Sequence, residues 1–165
     1  MTHAELVARA VKWLYNTRKC QVVFAERTAW GGPWEVPDAI GFRSSESILV
    51  ECKTSRGDFH RDQLKPYRHA VMRELGLGGQ RFYLTPKGLL VPDELPEGWG
   101  LLEVRGKIIR VVKKSEGFGN HWRRLRGEIA LLVSALNPNS SNKVEATAEC
   151  TKVAAERLSQ GVLGL

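Results

Sequence analysis

Pro37-Asp38 stands thirteen positions ahead of Glu51-Cys52-Lys53, and the second group ends the apolar run Ile48-Leu49-Val50. Two carboxylates and a lysine at this spacing are the parts of a metal-dependent phosphodiesterase site. In-line attack on a phosphodiester builds charge on both the attacking and the departing oxygen. One or two Mg²⁺ ions held by carboxylates neutralise that charge and make hydroxide from bound water near neutral pH. Asp38 and Glu51 are the expected metal ligands, with the carbonyl oxygen of Cys52 as a third. Lys53 is a poor cation ligand, but its ammonium can orient the nucleophilic water or stabilise the pentavalent transition state. The neighbouring carboxylates would hold it protonated.

Such a site needs a hairpin to assemble it. Ile40-Gly41-Phe42-Arg43 and Ile48-Leu49-Val50 read as strands, with Ser44-Ser45-Glu46-Ser47 as the turn between them. A tight turn centred between Ser44 and Ser45 sets position 38 directly opposite position 51, on one face, with Cβ atoms roughly 5 Å apart. Like charges held that close are destabilising unless a cation lies between them. Lys53, two residues beyond Glu51, returns to the same face. Leu49, Glu51 and Lys53 therefore share one side, while Ile48, Val50 and Cys52 are core-like on the other. An ordinary surface hairpin can carry the same residues, but a strand apolar on both sides is central in its sheet, where charges are rarely idle.

The elements around the hairpin follow from periodicity. Leu6, Val7, Ala10, Val11 and Leu14 have amphipathic-helix spacing, with Thr2 and Glu5 as a capping box. Gln21 to Ala25 reads as a strand, and Trp30-Gly31-Gly32-Pro33-Trp34 as a loop whose tryptophans either stack on unpaired bases or cover the sheet edge. A helix is expected after Lys53 as far as about Leu75, kinked at Pro66 or regular only from near Lys65. Ser55 and Asp58 lie either at the mouth of the site or in the first turn of that helix. Arg81 to Thr85, Leu89-Leu90-Val91, Gly100 to Val104 and Lys107 to Val112 are strand-like. A helix from about Asn120 to Leu136 carries Leu125, Ile129, Leu132, Val133 and Leu136 as its core face. Residues 137–165 read as a linker and a weaker C-terminal helix beside a domain spanning 1–136. The order predicts an α/β fold, a sandwich around one mixed sheet.

No apolar run approaches the roughly 18 residues of a membrane span, and Met1-Thr2-His3-Ala4-Glu5 lacks the pattern of a signal peptide. Cys20, Cys52 and Cys150 are odd in number and far apart, so a reducing, cytoplasmic setting is expected. His3, His60, His69 and His121 show no ligand spacing. A Gly-x-x-x-x-Gly-Lys loop is absent, so no nucleotide cofactor is expected. Of the net charge of +7, +6 falls between Leu101 and Arg126. A positive cluster of this kind suits nucleic acid. Lys65, Arg110, Lys113, Arg123, Arg124 and Arg126 are the candidate phosphate contacts, with solvated surface charge as the alternative.

Pro37-Asp38 followed by Glu51-Cys52-Lys53 resembles the PD-(D/E)XK nuclease superfamily. Val50 to Phe59, with Asp62, Lys65 and Tyr67 beyond it, is similar to the MmcB family of DNA-repair proteins within that superfamily. Arg81-Phe82-Tyr83 and Leu95 to Leu101 look like that family too, and the likeness covers about residues 20 to 112. Pro66 departs from the pattern, since the family tends to carry an aromatic residue there. The resemblance implies a restriction-endonuclease-like core, α-β-β-β-α-β with extra C-terminal helices, and Asp38, Glu51 and Lys53 at the catalytic positions. It also points to Glu5, because many members carry a glutamate on the first helix, and to Glu26, which matches a glutamate of the similar family. Gln63 and Tyr67 resemble the Gln-x-x-x-Tyr pair of the RecB-like nucleases, which supports the site and contacts DNA.

The expected function is therefore a Mg²⁺- or Mn²⁺-dependent DNA nuclease acting in repair, recombination or phage DNA processing. One alternative is a catalytically inactive nuclease-like module that binds DNA or serves as a scaffold. Another is a basic interaction domain with a repair-factor partner. The sequence leaves open whether the chain forms a homodimer.

Overall fold

The computed structural model describes residues 1–27, 36–44, 46–65, 76–118 and 122–136, the last stretch without the side chains of 122–124. The Trp30-Trp34 loop, Tyr67 and the expected segment 137–165 lie outside the described residues. The element order is α1 (His3–Asn16), β1 (Val22–Ala25), β2 (Ala39–Arg43), β3 (Glu46–Cys52), α2 (Arg56–Gln63), β4 (Gln80–Pro86), a 3₁₀ turn (Pro92–Glu94), β5 (Gly100–Arg105), β6 (Ile108–Lys113) and α3 (Trp122–Leu136). Among these, no helix is long and apolar enough to cross a membrane.

Side-chain alternation along the strands explains the layering. The six strands lie in sequence order across one mixed sheet. β3, β4 and β5 run parallel, while β1–β2, β2–β3 and β5–β6 are antiparallel pairs. Ile48, Val50 and Cys52 point to one face with Phe82 and Leu84, where Leu6, Val7, Ala10, Val11 and Leu14 of α1 cover them. Ile40, Leu49, Tyr83 and Leu101 point to the other, under Phe59 of α2, Trp99 and Leu131 of α3. This is an α/β fold with helices on both faces of a mixed sheet. β3 is buried on both sides, as a central strand should be.

α1 begins with the expected capping box, in which Glu5 Oε2 accepts from the Thr2 N–H and Thr2 Oγ1 accepts from the Glu5 N–H. α1 and Cys20, which follows it, come so close to β2 that a Cβ on Gly41 would lie 3.2 Å from Leu14 Cδ2 and 2.7 Å from Cys20 Sγ. Cys20 and Cys52 are buried and not disulfide-bonded.

Three local expectations are corrected. The turn between β2 and β3 is shorter than four residues, because Arg43 still pairs with Glu46, and Ser44 takes a left-handed φ of 44°. Leu89-Leu90-Val91 is not a strand, although Leu90 is buried in the second core. The helix expected after Lys53 ends early as one element: α2 begins at Arg56, capped by the Ser55 hydroxyl, and ends at Gln63, while the stretch from Pro66 to Leu75 lies outside the described residues.

α3 departs from its periodicity more deeply. Leu125, Ile129, Val133 and Leu136 are exposed, while Glu128, Leu131 and Ser134 are buried. Polar anchors set this rotation. Glu128 Oε1 accepts from the Ser47 hydroxyl at 2.7 Å and from the Gly78 N–H at 3.0 Å. Arg27 Nη2 donates to the Ser134 carbonyl at 2.6 Å.

Candidate functional site

The β2–β3 ladder pairs Ala39 with Val50 and Ile40 with Leu49, so the next step opposes Asp38 to Glu51, the register the turn position predicts. Glu51 and Lys53 are almost wholly buried at the C-terminal end of β3. Lys53 Nζ donates to Glu51 Oε2 at 3.2 Å and lies 3.2 Å from Asp62 Oδ1. Parallel pairing sets Tyr83 of β4 beside Glu51. The Tyr83 hydroxyl donates to Asp62 Oδ2 at 2.8 Å and accepts from Gln63 Nε2 at 3.0 Å. Lys65 Nζ adds a second ammonium, 2.8 Å from Asp62 Oδ1.

Asp38 lies one residue before β2, at the end of the sheet. Its Oδ2 accepts from the Cys52 N–H at 2.6 Å, and its Oδ1 is 3.4 Å from His3 Nε2 at the start of α1. The same imidazole is 3.6 Å from Glu26 Oε1, and the Glu26 N–H donates to the Asp38 carbonyl. Asp38 and Glu51 are linked through Lys53, on which both carboxylates act.

Electrostatics follow from this packing. Burial pushes the Asp38 carboxyl above its usual range, and the hydrogen bond from Cys52 together with Lys53, His3 and Lys65 offsets only part of that. Burial pulls the Lys53 ammonium down, but Glu51, Asp62 and Asp38 together raise it above the ordinary lysine value. Lys53 therefore stays protonated. Burial, then Asp38 and Glu51, push the Cys52 thiol well up, so it is a neutral thiol and not a nucleophile.

The residues fit a divalent cation in charge and in donor type. Asp38, Glu51, Glu26 and Asp62 set four carboxylates against the ammonium groups of Lys53 and Lys65. Asp38 and Glu51 offer hard carboxylate oxygens, and Cys52, whose N–H meets Asp38, offers a backbone carbonyl. Among the described residues, no three His, Cys, Asp or Glu side chains form a metal-holding group by themselves. Mg²⁺ is commonly held by one or two carboxylates and completes its shell with water and substrate phosphate, so two carboxylates with a carbonyl fit it.

The other predicted residues divide. Glu26 and Gln63 lie at this site, and Lys65 reaches it through Asp62. Glu5 is spent in the capping box, which with burial as the opposing influence holds its carboxyl below the usual range; it is not grouped with Asp38 and Glu51. Of the two places expected for Ser55, the structure shows the helix cap, its hydroxyl accepting from the Asp58 N–H. Arg110 pairs with Glu103 and Lys113 with Leu101. Through β4 and β5, these pairs put both on the face of Glu51 and Lys53. Three strand spacings separate them, about 14 Å. Arg126 is on α3 and exposed, and the side chains of Arg123 and Arg124 are outside the described ones.

Asp62, Tyr83 and His3 are site residues that sequence reasoning passed over. A signal existed for the first two. Phe59 and Asp62 are three apart on a helix and so share a face, and position 83 is where an aromatic β4 residue can meet that face.

No family model matches the chain, and comparison with curated proteins gives no match. Among solved structures, the chain is similar to the SPO1766 protein of unknown function from Silicibacter pomeroyi. The TM-score is 0.58 at 19% identity, covering 98% of this chain and 95% of that one. At that identity the likeness speaks for the fold alone.

Proposed function

We propose that the chain is a metal-dependent DNA nuclease of the PD-(D/E)XK type, hydrolysing phosphodiester bonds in repair, recombination or phage DNA processing. The observation that carries this reading is the register of the β2–β3 hairpin, which opposes Asp38 to Glu51 with Lys53 on the same strand end. The order α1-β1-β2-β3-α2-β4 is also the order of the PD-(D/E)XK core. Asp38, Glu51 and the Cys52 carbonyl would hold Mg²⁺ or Mn²⁺. Such an ion, when bound, supplies Lewis-acid stabilisation and lowers the pKa of a bound water.

Each residue then has a role in the chain's own terms. Lys53, held protonated by its carboxylates, orients the attacking water and offsets charge on the phosphoryl oxygens. Arg110 and Lys113 share the face of the site and position a duplex through its phosphates without reading its sequence. The buried neutral thiol of Cys52 leaves hydrolysis by water, not a covalent cysteine intermediate, as the matching chemistry.

A second reading, an inactive DNA-binding or scaffold module, draws support from the Glu51–Lys53–Asp62 pairing, which already balances buried charge. Labelled duplex, nicked, branched and single-stranded DNA incubated with the protein and Mn²⁺ separates the two. Cleavage of at least one substrate, abolished by EDTA, is expected of the nuclease, and binding without cleavage of the module.

A further inference from the structure

We propose that Asp62 is a positioning residue that holds the Lys53 ammonium in place while Glu51 serves a divalent cation. This rests on the reading of Asp38 and Glu51 as metal ligands.

Asp62 is itself locked. Ser55 caps α2, and the helix buries Phe59 and Asp62 against the sheet. The Tyr83 ring lies stacked on Trp99 at 4.4 Å and edge-on to Phe59 at 5.1 Å. Gln63 donates to the Tyr83 oxygen, which turns the phenolic O–H toward Asp62 Oδ2. The other carboxylate oxygen, Oδ1, is thereby aimed at Lys53 and Lys65.

Lys53 Nζ is 3.2 Å from Glu51 Oε2 and 3.2 Å from Asp62 Oδ1. A cation held by Glu51 repels an ammonium on the same carboxylate. Asp62 supplies a second anion at equal distance, so the ammonium can stay at the site without opposing the cation. With Asp62 neutralised, Glu51 becomes the nearest counter-charge of Lys53. Ammonium and metal then compete for one carboxylate.

Mn²⁺ binding measured by calorimetry tests this without requiring turnover. Asp62→Asn should weaken binding by about tenfold or more, since a unit charge at contact distance in a buried site is worth at least that. In a Lys53→Met background the same substitution should change affinity less than about twofold, because the effect passes through the ammonium. Equal weakening in both backgrounds, or none in either, overturns the proposal. Should Asp62→Asn fail to fold, Tyr83→Phe keeps the ring packing and deletes only the hydroxyl that fixes Asp62. It should weaken Mn²⁺ binding only when Lys53 is present, and an unchanged affinity overturns the proposal as well. Absence of Mn²⁺ binding by the wild type, or binding untouched by Asp38→Asn, defeats the metal-site reading and this inference with it.

Discussion

Asp38 Oδ2 takes a 2.6 Å hydrogen bond from the Cys52 backbone N–H, just beyond the last ladder pair of β2 and β3, Ala39 and Val50. A side chain thus supplies the acceptor where the strand pairing ends, so stability and function at Asp38 can be separated. Asp38→Ala leaves a buried N–H without its acceptor and should cost about 1–3 kcal/mol. Asp38→Asn keeps an acceptor and removes a carboxylate that burial disfavours. Urea denaturation should show Asp38→Asn within about 1 kcal/mol of wild type, even though it loses Mn²⁺ binding.

Gly41 lets Leu14 of α1, and Cys20 beyond it, pack directly on β2. A methyl there meets Cys20 Sγ at 2.7 Å and Cys20 Cβ at 3.0 Å. Gly41→Ala should destabilise the fold by about 1–3 kcal/mol through overpacking. Combining it with Cys20→Gly, which deletes both atoms, should recover part of that loss beyond simple additivity. A midpoint for Gly41→Ala equal to wild type would show that Cys20 and Leu14 give way freely.

Two carboxylates act in opposite senses on acid stability. Glu103 accepts from the Gly88 N–H and from Arg105, and although burial opposes it, these partners hold its carboxyl below the ordinary 4.5. Its contribution is full above pH 4.5 and lost as pH falls through its folded pKa. Asp38, raised by burial above the ordinary 3.8, favours the fold below pH 3.8, and that contribution is lost as pH rises through its folded pKa. In thermal melts, Glu103→Gln should lower Tm at neutral pH and flatten the acid limb below about pH 4.5. Asp38→Asn should instead raise Tm relative to wild type as pH rises past the Asp38 carboxyl's titration.

On β6, Arg110 and Lys113 share the face of the candidate site. Replacing both by alanine should weaken DNA binding for all sequences alike. The slope of log affinity against log salt should flatten by roughly 0.9 for each phosphate that is no longer neutralised. Fluorescence anisotropy across a salt series reads this directly, and an unchanged slope would move the DNA path off β6.

Much of the site was legible in the sequence because it is built from local rules. The Ser44-Ser45 centre fixed the register, and strand alternation put Glu51 and Lys53 on one face. Thr2 and Glu5 announced their cap three residues apart. The Asp62–Tyr83 pair was passed over although each residue carried a local signal, because joining them means docking a polar helix position on a strand 21 residues away. The buried face of α3 was misjudged for the same reason. Leu125, Ile129 and Val133 have the periodicity of a core stripe, but Glu128 is drawn inward by Ser47 and Gly78, 81 and 50 residues distant. Hydrophobic period records which face is greasy; it does not record where a distant hydroxyl or N–H waits for a carboxylate.

If Glu51 holds a catalytic cation, single-turnover cleavage of labelled DNA with Mn²⁺ must depend on its charge. Glu51→Gln removes that charge with almost no change in shape. Cleavage should fall by at least about a hundredfold, as for loss of a group that acts in the transition state, while DNA affinity by anisotropy stays at or slightly above wild type. Cleavage by Glu51→Gln at the wild-type rate would show that Glu51 is not a catalytic ligand.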